Sequence, residues 1–261
     1  MRIVPSLSRG LQILSVVARS PEPRKISEVA RELGIPRSAA YELVHTLVEF
    51  EMLEQRPEGR LVLGVAAFAL GNAYITSVDL VREAQEVSHE VMLEANETVQ
   101  VGRLDGNQVL YLAKADSQQM VRLVSAVGRR VPAQCTALGK MMLALLDREE
   151  LRARLGDGPF VALTDHSITD LATLDDELAE TARRLWAREV RESNPEVGCV
   201  AAPVWDGADR NVGAMSISVP MPRFGAGRQD DLREIVCAGA RRLSVRLGHS
   251  GSRIPSELVP S

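Results

Sequence analysis

The spacing of apolar positions divides the chain into a helical first part and two stretches of alternating character, each followed by helical segments. Leu7, Leu11, Leu14, Val17 and Ala18 recur at helical intervals and predict a helix over 7–20, with Ser6 or Ser8 placed to cap it. Ile26, Val29, Ala30 and Leu33 share the next helical face. Gly34, which takes a left-handed conformation without a Cβ clash, stops that helix. Pro36 suits the first turn of a third helix, whose stripe is Ala40, Leu43, Val44, Leu47 and Val48. Two amphipathic helices joined by so short a turn form either a helix-turn-helix or a plain αα-hairpin packed into a core. In residues 51–64, Met52 and Leu53, then Leu61, Val62 and Leu63, flank Pro57–Glu58–Gly59, a β-hairpin pattern in the position of a wing. Residues 65–78 are small and apolar, and predict a linker helix that is also a contact surface. Asp79 can cap a further helix reaching to about Asn96.

From Glu97 the period shortens to two. Strands are predicted on both sides of the tight turn Asp105–Gly106–Asn107, and a third in MVRLVSAV. A helix over 135–146 follows, then a loop in which Thr164 can act as a cap, then an amphipathic acidic helix over 171–190. Two more strands join at Asp206–Gly207, and a last helix spans roughly 228–247. Residues 248–261 are polar and read as a disordered tail. The expected class is therefore α+β with a mainly antiparallel sheet. The domains are a helix-turn-helix with wing over 1–64, a linker helix over 65–78 and a second domain over 79–247.

Arg37, Ser38, Tyr41 and His45 lie off the third helix's apolar stripe, near its N-terminal end. A helix presenting such donors and acceptors suits the DNA major groove. Arg9, and Arg56 and Arg60 beside the hairpin tip, are candidates for phosphate contacts. The net charge of −4 argues against indiscriminate nucleic-acid binding. Residues 1–64, however, hold 9 basic and 8 acidic side chains, so affinity there must rest on placement rather than bulk charge. Aromatics make up only 3% of the chain, so the cores must be built from Leu, Val, Ala and Met. No apolar run has the ~20 residues of a membrane helix, and the N-terminus has no signal-peptide stretch; a cytoplasmic protein with no membrane partner is expected. The three cysteines are widely spaced with no CxxC, which argues against a disulfide framework or a cysteine-rich zinc module.

The segments SLSRGLQILSVVA, ISEVARELGIPRSAAYELVHTLVEF and RLVLG, then VGRRVPAQCTALGKMMLALL and GCVAAPVWDGADRNVGAMSISVP, cover most of the chain in this order. In them the chain resembles the IclR-type bacterial transcriptional regulators. The resemblance implies a winged helix-turn-helix domain, a linker helix and a GAF-like effector-binding domain. It also implies homodimers formed through the DNA-binding domains, often paired into tetramers, that read double-stranded operator DNA and respond to a small-molecule effector without a cofactor. On that alignment the effector site takes in the backbone near Ala137 and Leu138, with Cys199, Ser216 and Ser218 on strands, Leu123 and Val131 as apolar wall, and Glu189 as a further binding residue. Lys140 either holds the pocket helix through a salt bridge or is only solvated. A cavity of that make-up suits a small organic acid. The sequence departs from the family pattern at Glu189, where an aspartate is expected, and at Glu196 and Glu51, where glycines are common.

Two rival readings attach to the same residues. Cys199 as a nucleophile would make the second domain a thiol enzyme, although the nearby Glu192 and Glu196 would raise its pKa. Cys199 with Glu189 and His166 would instead make a metal sensor.

Overall fold

A computed structural model of the protein describes residues 3–77, 79–120 and 126–250, apart from the side chains at 72 and 74–77. The chain separates into two compact units, Met1–Val78 and Asp79–Ser261.

The first unit contains α1 (Pro5–Arg19), β1 (Arg24–Lys25), α2 (Ile26–Glu32), α3 (Arg37–Glu49), β2 (Leu53–Arg56), β3 (Arg60–Leu63) and α4 (Val65–Ser77). Both helix ends in the helix-turn-helix use one device. After α2, Gly34 has φ +64°, its N–H donates to Arg31 O, and the Ile35 N–H donates to Ala30 O. After α3, Glu51 has φ +53°, its N–H donates to Val48 O, and the Met52 N–H donates to Leu47 O. These are paired Schellman bonds, which satisfy carbonyls the helix leaves open. Glu51 thus takes the conformation a glycine would take, and the turn into the wing is kept despite the departure from the family pattern. β2 and β3 pair from Leu53↔Leu63 to Arg56↔Arg60, and β1 adds on the other side of β3. The core is Ile13, Val16, Val29, Ala30, Ala40, Val44, Leu53 and Leu61. Burying each of the larger of these side chains contributes about 1.5–3 kcal/mol.

One expectation for α1 is corrected. Its core face is Gly10, Ile13, Val16 and Val17, whereas Leu7 and Leu11 stand exposed. The helix starts at Pro5 after Val4, with neither Ser6 nor Ser8 as its cap. The sequence carries two apolar stripes here, and periodicity does not say which one faces inward.

The second unit holds one six-stranded sheet in the order β6-β5-β4-β9-β8-β7, every neighbouring pair antiparallel. The strands are β4 (Thr98–Asp105), β5 (Gln108–Ala115), β6 (Arg130–Pro132), β7 (Ala187–Val190), β8 (Val197–Trp205) and β9 (Asn211–Pro220). One face packs on α5 (Asp79–Ala95) and α9 (Ala226–Arg246) through Val99, Val101, Met215, Ile217 and Val219. The other face meets α6 (Ala137–Leu143) and α8 (Leu171–Arg184) through Val109, Val197, Ala201 and Ala214. Strand alternation assigns each residue to a face. In β5 a bulge interrupts the alternation: Val101 pairs with Ala113 but Gly102 with Tyr111, leaving Leu112 extra. Val109 and Tyr111 consequently point to the α6 side while Ala113 and Ala115 point to the α5 side.

Several boundaries differ from expectation. The helix predicted over 171–190 ends at Arg184, because Leu185 turns left-handed at φ +54° and Ala187–Val190 pairs as an edge strand. Asp170, not Thr164, caps it; the Thr164 hydroxyl donates to Arg191 O. The helix predicted over 135–146 is confined to Ala137–Leu143, after a 3-10 turn at Ala133–Cys135. The loop after it contains α7 (Arg148–Leu155), capped by Asp147. Most of the predicted strand MVRLVSAV, Leu123 included, lies outside the described residues, and the strand beside β5 is Arg130–Pro132. His249 is packed rather than loose, with Nδ1 3.0 Å from Asp209 Oδ1 and its ring stacked on Trp205; residues 251–261 lie outside the described residues.

Candidate DNA-binding surface and ligand pocket

In the first unit, α3 buries Ala40 and Val44 and leaves Arg37, Ser38, Tyr41 and His45 exposed in one stripe. The opposition follows from helical spacing, since the two sets lie on different faces of the same turns. Pro36 sits at the cap, so the stripe begins at the first helical residue. Arg9 and Arg56 are exposed, Arg56 with only a 3.8 Å contact to Glu54. Arg60 is more committed: its guanidinium donates to Pro23 O at 3.0 Å and lies 3.6 Å from Glu58. Arg31 on α2, which sequence reasoning passed over, is exposed beside Arg37, with Ser27 and Glu28 in the same shallow surface.

In the second unit, a cavity of about 110 Å³ opens on the α6 side of the sheet. Val131, Ala137, Leu138, Cys199, Ser216 and Ser218 line it. Register brings them together. Cys199 lies opposite Ser218, and Gln100 lies opposite Ser216. Ser216 and Ser218 are two residues apart on β9 and so face the same way. The Ser218 hydroxyl donates to Gln100 Oε1 at 3.1 Å and lies 3.1 Å from Cys199 Sγ. Thr136 caps α6 by accepting from the Gly139 N–H, and the Ala137 and Leu138 N–H groups ahead of it have no intrahelical partners. Gly139 must be glycine, because a Cβ there would sit 2.1 Å from Ala133 O.

Glu189 lies behind this lining rather than in it. It is 1% exposed and sits opposite Cys199 on β7. Its carboxylate accepts from the Glu192 and Ser193 N–H groups, from the Ser193 hydroxyl and, at 3.4 Å, from the Cys199 thiol. Burial pushes its pKa up to about 7, against the opposing pull of the Ser193 hydroxyl and those backbone donors. Beside it, Lys140 Nζ is bound to Glu192 Oε1 at 2.6 Å with both side chains buried. Burial raises the Glu192 pKa and the Lys140 charge opposes that rise. Burial, and then the Glu189 charge, drive the Cys199 pKa well above its usual value, so the thiol stays protonated. That is the reverse of what a nucleophile requires. His166 is exposed, and among the described residues no group of three His, Cys, Asp or Glu side chains is arranged to hold a metal ion.

Sequence reasoning missed Gln100, Tyr111, Arg129, Leu163, Ser193 and Asn194 in the cavity wall. Gln100 had a signal, being polar in a strand whose neighbours are valines. Tyr111 had none, because its direction depends on the bulge. Leu163 arrives on the long loop that the Thr164 and Ser167 hydroxyls tie to the backbone of Arg191 and Glu192.

A winged helix-turn-helix unit joined to a second unit built on an antiparallel sheet is the architecture of a DNA-binding transcriptional regulator. Comparison with known families agrees. Residues 6–57 match the IclR helix-turn-helix domain, and residues 72–245 match the bacterial transcriptional regulator IclR C-terminal domain. The chain belongs to the IclR family of bacterial transcriptional regulators. It is 29% identical over 250 residues to the HTH-type transcriptional regulator XynR of Escherichia coli, covering 95% of this chain and 99% of that one. The fold is shared with an IclR transcriptional regulator from Alicyclobacillus acidocaldarius, at a TM-score of 0.85 and 23% identity over 95% of this chain and 100% of that one. It is also shared with an IclR homolog from Microbacterium hydrocarbonoxydans solved with 4-hydroxybenzoate, at a TM-score of 0.82 and 21% identity over 93% and 98%. Among the described residues, no helix is long and apolar enough to cross a membrane.

Proposed function

We propose that this regulator recognises a specific operator through α3 and adjusts that binding when a small organic acid occupies the cavity of its second unit. The observation that carries the reading is the convergence of Gln100, Ser216 and Ser218 on a cavity that Val131, Ala137, Leu138 and Val197 also line. Apolar walls with a few placed polar groups are how proteins hold small ligands in one orientation. The 4-hydroxybenzoate bound by the Microbacterium homolog makes an acid the natural first choice. On the DNA side, Arg37, Ser38, Tyr41 and His45 meet base edges, while Arg9, Arg31 and Arg56 meet phosphates; Arg60, tied to Pro23, mainly braces the wing.

The protein works as a homodimer, reading a roughly palindromic site. The exposed Leu7 and Leu11 on α1, with Val65, Phe68 and Leu70 on α4, supply apolar surface for a second copy. α4, the linker helix, carries the effector signal; a ligand acts only through a difference in affinity between two arrangements of the paired DNA-binding units.

The test is fluorescence anisotropy of the full-length protein on a duplex from upstream of its own coding region and on a scrambled duplex, at two salt concentrations. Preference for the native duplex that persists at higher salt supports a sequence-specific regulator. A change in that affinity on adding 4-hydroxybenzoate or another small organic acid supports the effector role. Equal, salt-sensitive binding to both duplexes, with acids or without, overturns the reading.

A further inference from the structure

Two arginines stand side by side where the chain enters β6, and they differ in circumstance. Arg130 is bound to Asp105 across the β4–β5 turn. Arg129 has no such partner: among the described residues no carboxylate pairs with it, and it is exposed at the rim of the cavity. Its backbone is fixed. The Tyr111 N–H donates to Arg129 O at 3.0 Å, the Gly128 N–H donates to Tyr111 O at 2.9 Å, and Gly128 makes the turn at φ +84°. The guanidinium therefore projects from a pinned position beside a tyrosine that the β5 bulge turns into the same cavity.

Among the described residues, Arg129 is the one with a full charge in the lining; the other described members are neutral. The anionic groups nearby, Glu189 and Glu192, lie behind the lining and are engaged by Ser193 and Lys140. Burial holds the Tyr111 hydroxyl in its protonated form, with the Arg129 charge opposing that shift. The phenol is thus available as a donor beside the cation. At the sheet end of the same cavity are the hydroxyls of Ser216 and Ser218 and the Gln100 amide, which bond to neutral polar groups.

We infer that the cavity is two-ended: Arg129, with Tyr111, clamps the carboxylate of the effector at the rim, and Ser216, Ser218 and Gln100 receive a hydroxyl or carbonyl group at its other end. The ligand class is a small hydroxy or oxo acid, and Arg129 is the residue that selects the acid over its neutral analogues. A guanidinium fork matches a carboxylate in two parallel hydrogen bonds, which a lysine cannot reproduce. This inference rests on the reading of the cavity as an effector site, but its test is independent of DNA.

The test is thermal shift and calorimetric titration of the full-length protein and its Arg129→Met and Arg129→Lys variants with matched pairs: glycolate and glycolamide, lactate and lactamide, 4-hydroxybenzoate and 4-hydroxybenzamide. Loss of a charged hydrogen-bond partner weakens binding by about tenfold to a hundredfold. The expected result is that at least one acid binds the native protein more tightly than its amide. Arg129→Met then loses that advantage by at least about tenfold, Arg129→Lys recovers part of it, and amide binding does not change. The exposed position predicts unchanged melting of the unliganded variants, so a loss of binding is not a loss of fold. Acid and amide binding alike, acid binding that survives Arg129→Met, or no acid in the set binding at all overturns the inference. An acid that binds through Arg129 yet leaves the operator anisotropy unchanged upholds it and rejects the regulatory role of the site instead.

Discussion

Replacing Glu189 by glutamine should make the second unit more stable, by an amount that grows as pH climbs from 4.5 to about 7. The carboxyl is buried against β8, and its pKa rises from 4.5 to about 7 on folding. A carboxyl with a raised folded pKa binds its proton more tightly in the native state. The associated stability is therefore present below pH 4.5 and is lost as pH climbs through about 7. The shift corresponds to about 3 kcal/mol between the two ends of that window. Glutamine carries no charge to bury, and its carbonyl can still accept from the Glu192 and Ser193 N–H groups. Removing the Glu189 charge also relieves the neighbouring Glu192, which acts in the same direction. Urea unfolding of the full-length protein measures the effect, because both tryptophans, Trp186 and Trp205, report on the second unit. At pH 5 the variant should be more stable than the native protein by no more than about 1 kcal/mol. At pH 8.5 the variant should be more stable by about 3 kcal/mol, or roughly 6–12 °C in Tm for a unit of this size. A difference that does not change between pH 5 and 8.5 would show that Glu189 does not change its protonation on folding, and the burial argument would fail.

Other consequences are open to measurement. Arg37→Ala should lower the preference for operator over scrambled duplex by about 1–3 kcal/mol, read by anisotropy; intact preference would remove Arg37 from base recognition. Glu51→Gly should relieve the left-handed strain at φ +53° and stabilise the first unit by about 1 kcal/mol, seen as slower hydrogen exchange of α2 and α3 amides, about fivefold. Faster exchange would mean the glutamate side chain contributes more than its backbone costs. Leu7→Ser with Phe68→Ser should shift sedimentation toward monomer, and an unchanged profile would locate the dimer contact elsewhere.

Much of the first unit was legible because its signals are local. The stop at Gly34, the start after Pro36 and the stripe through Ala40 and Val44 each follow from a few adjacent residues. The two stripes on α1 were not separable, because only tertiary packing chooses Ile13 over Leu11 for the core. In the second unit, Ser216 and Ser218 followed from alternation along one strand and Cys199 from the family motif. Tyr111 and Arg129 depended on a bulge and a turn that leave no periodic trace. β7 was hidden because Ala187–Val190 continues the helical pattern of α8, and the break rests on a leucine in a left-handed conformation that sequence does not favour.

The bulge at Leu112 also bears on how this protein can change over generations. Before it, β5 side chains at odd positions face α6, with Tyr111 in the cavity wall; after it, odd positions meet the α5 and α9 core. Substitutions at Tyr111 can reshape the cavity wall while Ala113 and Ala115 keep the helix pair seated. Cavity shape and the seating of that pair are thus written in separate segments of one strand, and a lineage can retune the first without relearning the second. Deleting the single residue Leu112 would join them again, turning Tyr111 away from the cavity it now walls.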